Sequence, residues 1–345
     1  MALLARVADR LYWAARYTER AEDTARIVRS YGDLMVDMPS DLPLRWEPLV
    51  ALIGSQPLDS TERGEREVME FLIADESNPS SVAATVGRAR DNLRTTREVV
   101  PREAWSALNG LHQYVSSEAE RAAGRRSRDR FLGRVIDDSR RLDGVLESSM
   151  TRAHPYWMWR LGRLLERADM TTRVVGLRAA SILQMQAMFA LAHDDAGTST
   201  QPPTASQQQS QSGGPTSPAS GDEPDRDDQD EVQWMSALRS VSALQMYQRA
   251  THGPIEGPSV VRFLLYYSSF PRSVQGCLDE MRAVLAHLPG PDGVVAALDE
   301  ADAVLASCDP GADDGAVLDD AMEAVQASLA TLGTAIDARY LSHGE

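Results

Sequence analysis

From Ala2 to Asp37 apolar residues recur three and four apart, and no proline interrupts them before Pro39, so the pattern predicts one long opening helix. A short segment from Trp46 to Ile53 follows, and then a helix from Gly64 to Ala74. Asn78 before Pro79 has the chemistry of a helix start, a side-chain cap followed by proline at the first helical position, which predicts a helix from Pro79 to Val100. Pro101 restarts the chain. Arg102 to Gly110 and His112 to Ala123 read as one or two helices, Asp129 to Met150 as another, and Pro155 to about His193 as a second long one. Further helices are predicted over Val232 to Ala250, over Val260 to Ser268 with Ser259 as its cap, from Phe270-Pro271-Arg272-Ser273 to Leu288, near Gly293 to Ala306, and over Ala316 to Leu341. No stretch sustains a period of two, so the fold class predicted is all-α.

Between the second long helix and Val232 the pattern vanishes. Gly197 to Glu231 is Ser, Gln, Pro, Gly and Asp with almost no apolar residue, which cannot offset its ordering entropy by burial and reads as a disordered insertion.

The polar positions of the two long helices carry a second pattern. Arg16-Tyr-Thr-Glu19-Arg20-Ala21-Glu22-Asp23-Thr24-Ala25-Arg26 returns as Arg163-Leu-Leu-Glu166-Arg167-Ala168-Asp169-Met170-Thr171-Thr172-Arg173. At 100° per residue Arg16, Glu19, Glu22 and Arg26 share one side, as do Arg163, Glu166, Asp169 and Arg173, opposite an apolar stripe in each helix. Burial explains the apolar stripe. It does not explain an arginine, acid, acid, arginine order kept twice.

The repetition extends beyond the stripe. Val68-Met-Glu-Phe71-Leu72-Ile73 and Pro79-Ser80-Ser81-Val82 align with Val260-Val-Arg-Phe263-Leu264-Leu265 and Pro271-Arg272-Ser273-Val274, and the Trp46 segment matches the Trp234 segment. The offset is 147 at the stripe (166 − 19) and 192 here (263 − 71), a difference largely accounted for by the insertion. The expectation is an internally duplicated helical bundle: two homologous modules, residues 1–148 and 149–345, the second interrupted at 197–231, packed about a pseudo-twofold axis as one domain.

Composition narrows the chemistry. The formal charge is −16, and all 35 basic residues are arginine, so nucleic acid is not the expected partner of so acidic a surface. Without lysine there is neither a Schiff-base amine nor the lysine of a phosphate-binding loop. The lysine-free, Ala- and Arg-rich composition points to a GC-rich bacterial genome. Cys277 and Cys308 lack CxxC spacing and read as small buried hydrophobes in a reducing compartment. No apolar run approaches the roughly 20 residues that span a bilayer, so a cytoplasmic protein without membrane partner is expected.

The candidate site is the stripe. Its plain reading is a solvated face with i,i+3 and i,i+4 ion pairs, worth about 0.3–0.5 kcal/mol each. The repeated order and central position instead predict, with equal weight, a buried, internally paired charge network. Catalysis by a paired Glu19 and Glu166 would require burial to raise one pKa. Arg16, Arg20, Glu22, Arg26, Arg163, Arg167, Asp169 and Arg173 are the accompanying candidates for holding a substrate or anion. Arg88, Arg90, Arg94 and Arg97 with Asn92 read as a solvated face, with an anion site at Arg90 and Arg94 as the alternative. Arg272 and Ser273 are expected in the first turn of a helix, where free N–H groups favour anions. A cation there needs an acidic partner, so Arg272 is the leading candidate to touch either a ligand or the stripe. Tyr12, Trp13, Tyr156, Trp157 and Trp159 read as core and inter-repeat packing. Neither Glu19 nor Glu166 is followed by His at the spacing of a di-metal bundle, and no nucleotide loop, zinc pair or serine elbow is present, so no metal or cofactor is predicted.

Leu11-Tyr12-Trp13 through Glu22, Asn78-Pro79-Ser80-Ser81 with Arg88-Ala-Arg90-Asp91-Asn92, Glu103-Ala-Trp105 with Asn109, and Phe270 to Val274 together resemble the bacterial alpha-E family, a domain of unknown function. The resemblance covers nearly the whole chain outside the insertion. It implies an association with circularly permuted ATP-grasp ligases and transglutaminase-like proteins, and hence an accessory or peptide-modifying role in an amide-forming pathway, with a peptide or amine held in the Glu/Arg groove. Tyr266-Tyr267 departs from the family pattern, which has an aspartate where the first copy keeps Asp75. The alternatives are a non-catalytic scaffold whose Glu/Arg network is structural, and an independent enzyme.

Overall fold

Two long helices form the centre, and a computed structural model of the chain describes residues 5–37, 46–53, 64–197, 226–311 and 315–341. In chain order the helices are α1 (Ala5–Asp37), α2 (Glu47–Ile53), α3 (Glu65–Ile73), α4 (Val82–Arg94), α5 (Arg102–Ala122), α6 (Arg125–Ser149), α7 (His154–Gly197), α8 (Arg226–Ser240), α9 (Leu244–Thr251), α10 (Gly257–Tyr266), α11 (Val274–Leu285), α12 (Asp292–Ser307) and α13 (Gly315–Ile336). A π-helical turn, Asp337–Leu341, follows α13. Among the described residues there is no strand, and the protein is all-helical.

α1 and α7 pack on each other along the apolar stripes read from the sequence, with Ala14, Ala21, Ala25 and Val28 buried in one and Leu161, Leu164, Ala168 and Val175 in the other. Small residues set how close they come. A Cβ placed on Gly162 would overlap the Tyr12 carbonyl and lie 3.2 Å from the Ala15 Cβ. Around this pair α1 contacts α4 and α6, and α7 contacts α11 and α13. α1 also packs on α8, while α7 packs on α2. α5 joins α4 to α6, and α12 joins α11 to α13.

Several helix ends differ from the sequence reading for local reasons. α4 starts three residues later than Pro79, because Asn78 spends its amide on the Phe71 carbonyl (2.9 Å) and on the Ser80 N–H (3.0 Å), leaving Ser81 to cap the helix by accepting from Ala84 N–H at 3.1 Å. α11 likewise starts at Val274, capped by Ser273, so Arg272 precedes the first turn instead of lying within it. α10 begins at Gly257, so Ser259 is not its cap. Val232 to Ala250 divides at Ser242, whose left-handed backbone (φ 55°) ends α8. Residues 102–122 form one helix. Of the predicted disordered insertion, Gly197 closes α7 and 226–231 open α8, which corrects those edges; residues 198–225 lie outside the described residues.

Candidate functional site

The acid stripes of α1 and α7 face each other across the helix crossing, and their charges are exchanged between the helices. Glu19 is fully buried and accepts from α7: Arg163 Nε at 2.7 Å and Arg167 Nε at 2.7 Å. Glu166, also fully buried, accepts from α1: Arg16 Nε at 2.7 Å and Arg20 through Nε and Nη2, the latter at 3.0 Å. Each glutamate is thus held by the arginines three residues before and one residue after its own counterpart. Arg272, from the turn before α11, adds a third cation to Glu19 at 3.1 Å and reaches Glu22 at 3.3 Å and Asp23 at 2.8 Å. The acidic partner that a cation at this position requires is therefore the stripe itself.

Four-residue spacing closes the outer ends. Arg26 pairs with Glu22, and Arg173 with Asp169 at 2.9 Å while also donating to the Leu52 carbonyl at 3.1 Å. Around Glu22 the chain adds more: Arg140 of α6 approaches it at 3.3 Å and Ser242 at 3.0 Å, and Arg26 also donates to Ser242. Arg163 takes a second acid, Asp143 of α6.

The electrostatics follow from these contacts. Burial pushes the Glu19 carboxyl up, but Arg163, Arg167 and Arg272 outweigh burial and hold it well below the usual range. For Glu166 burial is likewise outweighed, by Arg20 and Arg16. The condition that would turn this pair into an acid and a base, one raised pKa, is not met. Asp23 is the exception: burial and the nearby Glu19 and Glu22 charges push it up to about 6 against Arg272 and Arg26, and among the described residues its Oδ2 finds no hydrogen-bond partner. The Cys277 thiol, buried beneath the lattice, is pushed up to about 12 by desolvation.

On the Glu166 side the lattice opens into a cavity of about 400 Å³. Its walls are Tyr12, Trp13, Arg16 and Arg20 of α1, Asp169 and Arg173 of α7, Ala330 and Gly333 of α13, and Asp337 of the π-helical turn. The exposures differ accordingly: side chains of Arg16, Arg20 and Arg173 are 16%, 21% and 36% exposed, whereas that of Arg163 is 7% exposed. The Tyr12 hydroxyl is buried, and Arg16 beside it works by charge and hydrogen bonding against the rise that burial imposes on its pKa, although among the described residues none meets it at full hydrogen-bond geometry.

Arg16, Arg20, Glu22, Arg26, Arg163, Arg167, Asp169, Arg173 and Arg272 thus join Glu19 and Glu166 in one connected region, and the solvated-face reading of the stripe gives way to a buried network. Ser273 does not join as a ligand group: its hydroxyl accepts from Gly276 N–H and donates to the Tyr267 carbonyl, as a cap. Arg90 and Arg94 lie apart, Arg90 donating to Asn109 at 3.2 Å and Arg94 standing exposed near Asp91, which keeps them a solvated face. Among the described residues no group of three or more His, Cys, Asp and Glu side chains is arranged to hold a metal ion, and no helix is long and apolar enough to cross a membrane. Sequence reasoning missed Asp23, Arg140, Asp143 and the whole α13 wall. The signal for the wall was present in the register of α13, whose apolar positions repeat those of α6.

Residues 3–341 match the family described as Alpha-E, a predicted alpha-helical domain with a conserved ER motif. A Glu-Arg step, Glu19-Arg20 and Glu166-Arg167, stands at the centre of each half of the lattice. No curated protein and no solved structure matches the chain.

Proposed function

This chain belongs to the Alpha-E family, and from that premise we propose that it is an accessory, substrate-holding component of an amide-bond-forming pathway. Two homologous modules, 1–148 and 149–345, pack about a pseudo-twofold axis. They hold a peptide or amine against the Glu/Arg lattice between their opening helices, and a circularly permuted ATP-grasp ligase supplies the bond chemistry, with a transglutaminase-like protein as a further partner. The protein works in the bacterial cytoplasm.

The observation that carries the holding role is the division of labour inside the lattice. Both glutamates are saturated by arginine and held ionised, so they neither give nor take protons at neutral pH. On the cavity side, by contrast, guanidinium groups face open space, which suits them to recognise a ligand. Such a site binds without reacting. This favours a component that presents a substrate to a partner over an independent enzyme.

The duplication is supported by the exchanged packing of α1 on α8 and α7 on α2, by the exchanged arginine partners, and by matching registers. The last helices extend the match at an offset of 190 (332 − 142): Leu132, Val135, Leu142 and Leu146 of α6 correspond to Met322, Val325, Leu332 and Ile336 of α13, and all eight are buried.

Affinity capture of the tagged protein from its source cells, with mass spectrometry for proteins and peptides, tests the reading. It stands if an ATP-grasp ligase or a peptide conjugate co-purifies, and falls if neither does under conditions that preserve weak complexes. The scaffold reading, favoured by full pairing of Glu19 and Glu166, is tested by the double substitution Glu19→Gln with Glu166→Gln. A large loss of thermal stability assigns the network to structure, whereas a folded variant that no longer supports product formation assigns it to the site.

A further inference from the structure

The two sides of the lattice are built alike but filled differently. At the offset of 190, Arg140 corresponds to Ala330 and Asp143 to Gly333. On the Glu19 side those α6 side chains complete the network: Asp143 gives Arg163 its second carboxylate, and Arg140 reaches Glu22. On the Glu166 side the ion pair of Arg16, the counterpart of Arg163, is with Glu166, and Asp169 acts on it through its charge. Position 333 is nevertheless within reach, since a Cβ on Gly333 would lie 3.9 Å from Arg16 Nη1 and 4.0 Å from the Tyr12 hydroxyl. Serine also replaces arginine at the position of Arg272, because Ser80 is its counterpart. Two charged side chains, one of them a long arginine, are thus exchanged for alanine and glycine where the cavity opens.

We propose that this cavity binds the terminal carboxylate of a short peptide, seated against Arg16 and the Tyr12 hydroxyl where the first module uses its own Asp143. The inference rests on the reading of matched modules and names the ligand class for the substrate-holding role. Arg16 and Arg20 use their Nε atoms, and Arg20 one Nη, on Glu166, which leaves other guanidinium N–H groups for a ligand oxygen. Arg16, Arg20 and Arg173 at the cavity are matched in number by Asp169, Asp337 and Glu166, so the site carries no excess charge for a polyphosphate, and a ligand oxygen is held by the N–H groups that Glu166 leaves unused. The volume of about 400 Å³ lies near the lower end of small-molecule sites, about 300–1,000 Å³. It suits two or three residues. Trp13, half-buried at the wall with Arg16 over its ring, offers an apolar face for a neighbouring side chain.

Calorimetric titration of the purified chain with the dipeptide Ala-Tyr and with its C-terminal amide tests the site. The acid is expected to bind roughly tenfold or more tightly than the amide, the loss expected when a charge-assisted contact is removed. Gly333→Asp places a carboxylate beside Arg16 and is expected to weaken Ala-Tyr binding by the same factor while the protein stays folded by circular dichroism. Equal binding of acid and amide, no binding of either at millimolar concentration, or undiminished Ala-Tyr binding to a folded Gly333→Asp overturns the proposal. If that variant does not fold, the acid and amide pair on the unsubstituted protein decides alone. No partner enters this titration, so its failure strikes the carboxylate site and leaves the ligase association to the capture experiment.

Discussion

At Asp23 the buried lattice is least well matched. Three acids, Glu19, Glu22 and Asp23, lie within reach of Arg272, and the last of them is left with an unpartnered oxygen. Its folded pKa, pushed up to about 6, lies above the unfolded value near 4, so the native state binds more protons between those limits. The stabilising contribution is complete below the unfolded pKa and is lost as pH rises through the folded one. Acidification from about pH 7 to about pH 5 should therefore raise stability through this group by about 1 kcal/mol. Glu19 and Glu166 have the opposite sign, and their contribution is lost at lower pH, as pH falls through their depressed values. Denaturant melts across this range should show a gain and then a fall, and Asp23→Asn should flatten the gain while remaining folded. A gain that persists in Asp23→Asn would assign it elsewhere.

The two glutamates should also differ from each other. Glu19→Gln takes a carboxylate from three buried arginines, stranding Arg167 while Arg163 keeps Asp143 and Arg272 keeps Glu22 and Asp23, a loss of about 3–5 kcal/mol for breaking a buried pair. Glu166→Gln strands Arg16 and Arg20, which border the cavity and can be hydrated there, so about 1–3 kcal/mol is expected. Chemical denaturation of the two single variants checks the order, and equal losses would contradict an open Glu166 side and a closed Glu19 side.

At the scale of elements, the crossing of α1 and α7 depends on one missing Cβ. Gly162→Ala drives a methyl group into the Tyr12 backbone, which cannot rotate away as a side chain could, so about 3 kcal/mol or more should be lost, the upper end of overpacking costs. A thermal melt reads this directly, and an unchanged midpoint would mean that the helices separate freely. The elements themselves were legible because the apolar period of α1, α7 and their neighbours is unbroken and prolines mark the turns. Their ends were less so. Asn78-Pro79 has the residues of a helix start, yet Asn78 is more useful tying Phe71 to Ser80 across the turn, and that long-range choice is invisible in a local pattern. Ser242 breaks Val232 to Ala250 without glycine or proline, its hydroxyl being taken by Arg26 and Arg140 from two distant helices.

For the whole molecule, the repeated stripe revealed that charges would meet, but not which would cross. Exchange of arginines between α1 and α7 is a property of the packed pair, as is the contact of Arg272 with α1 from residues about 250 positions away. The cavity was hidden for a different reason: it is made where α13 carries the small residues Ala330 and Gly333, and small residues draw notice only when set beside Arg140 and Asp143 at the offset of 190. This exchange predicts how the chain folds. Glu19 of α1 takes its cations from after residue 148 and Glu166 of α7 takes its cations from before it, and α1 and α7 bury their apolar stripes against each other. An isolated segment 1–148 would expose the Ala14, Ala21 and Val28 face together with an unneutralised Glu19. Expressed alone, 1–148 and 149–345 should each be aggregated or unfolded, whereas the two co-expressed as separate chains should co-purify as a folded one-to-one complex with the circular dichroism of the intact protein. A half that is monomeric and cooperatively folded by itself would show that the lattice joins two finished domains. Recovery of fold only on co-expression would show that the charges exchanged between α1 and α7 lie inside a single cooperative unit.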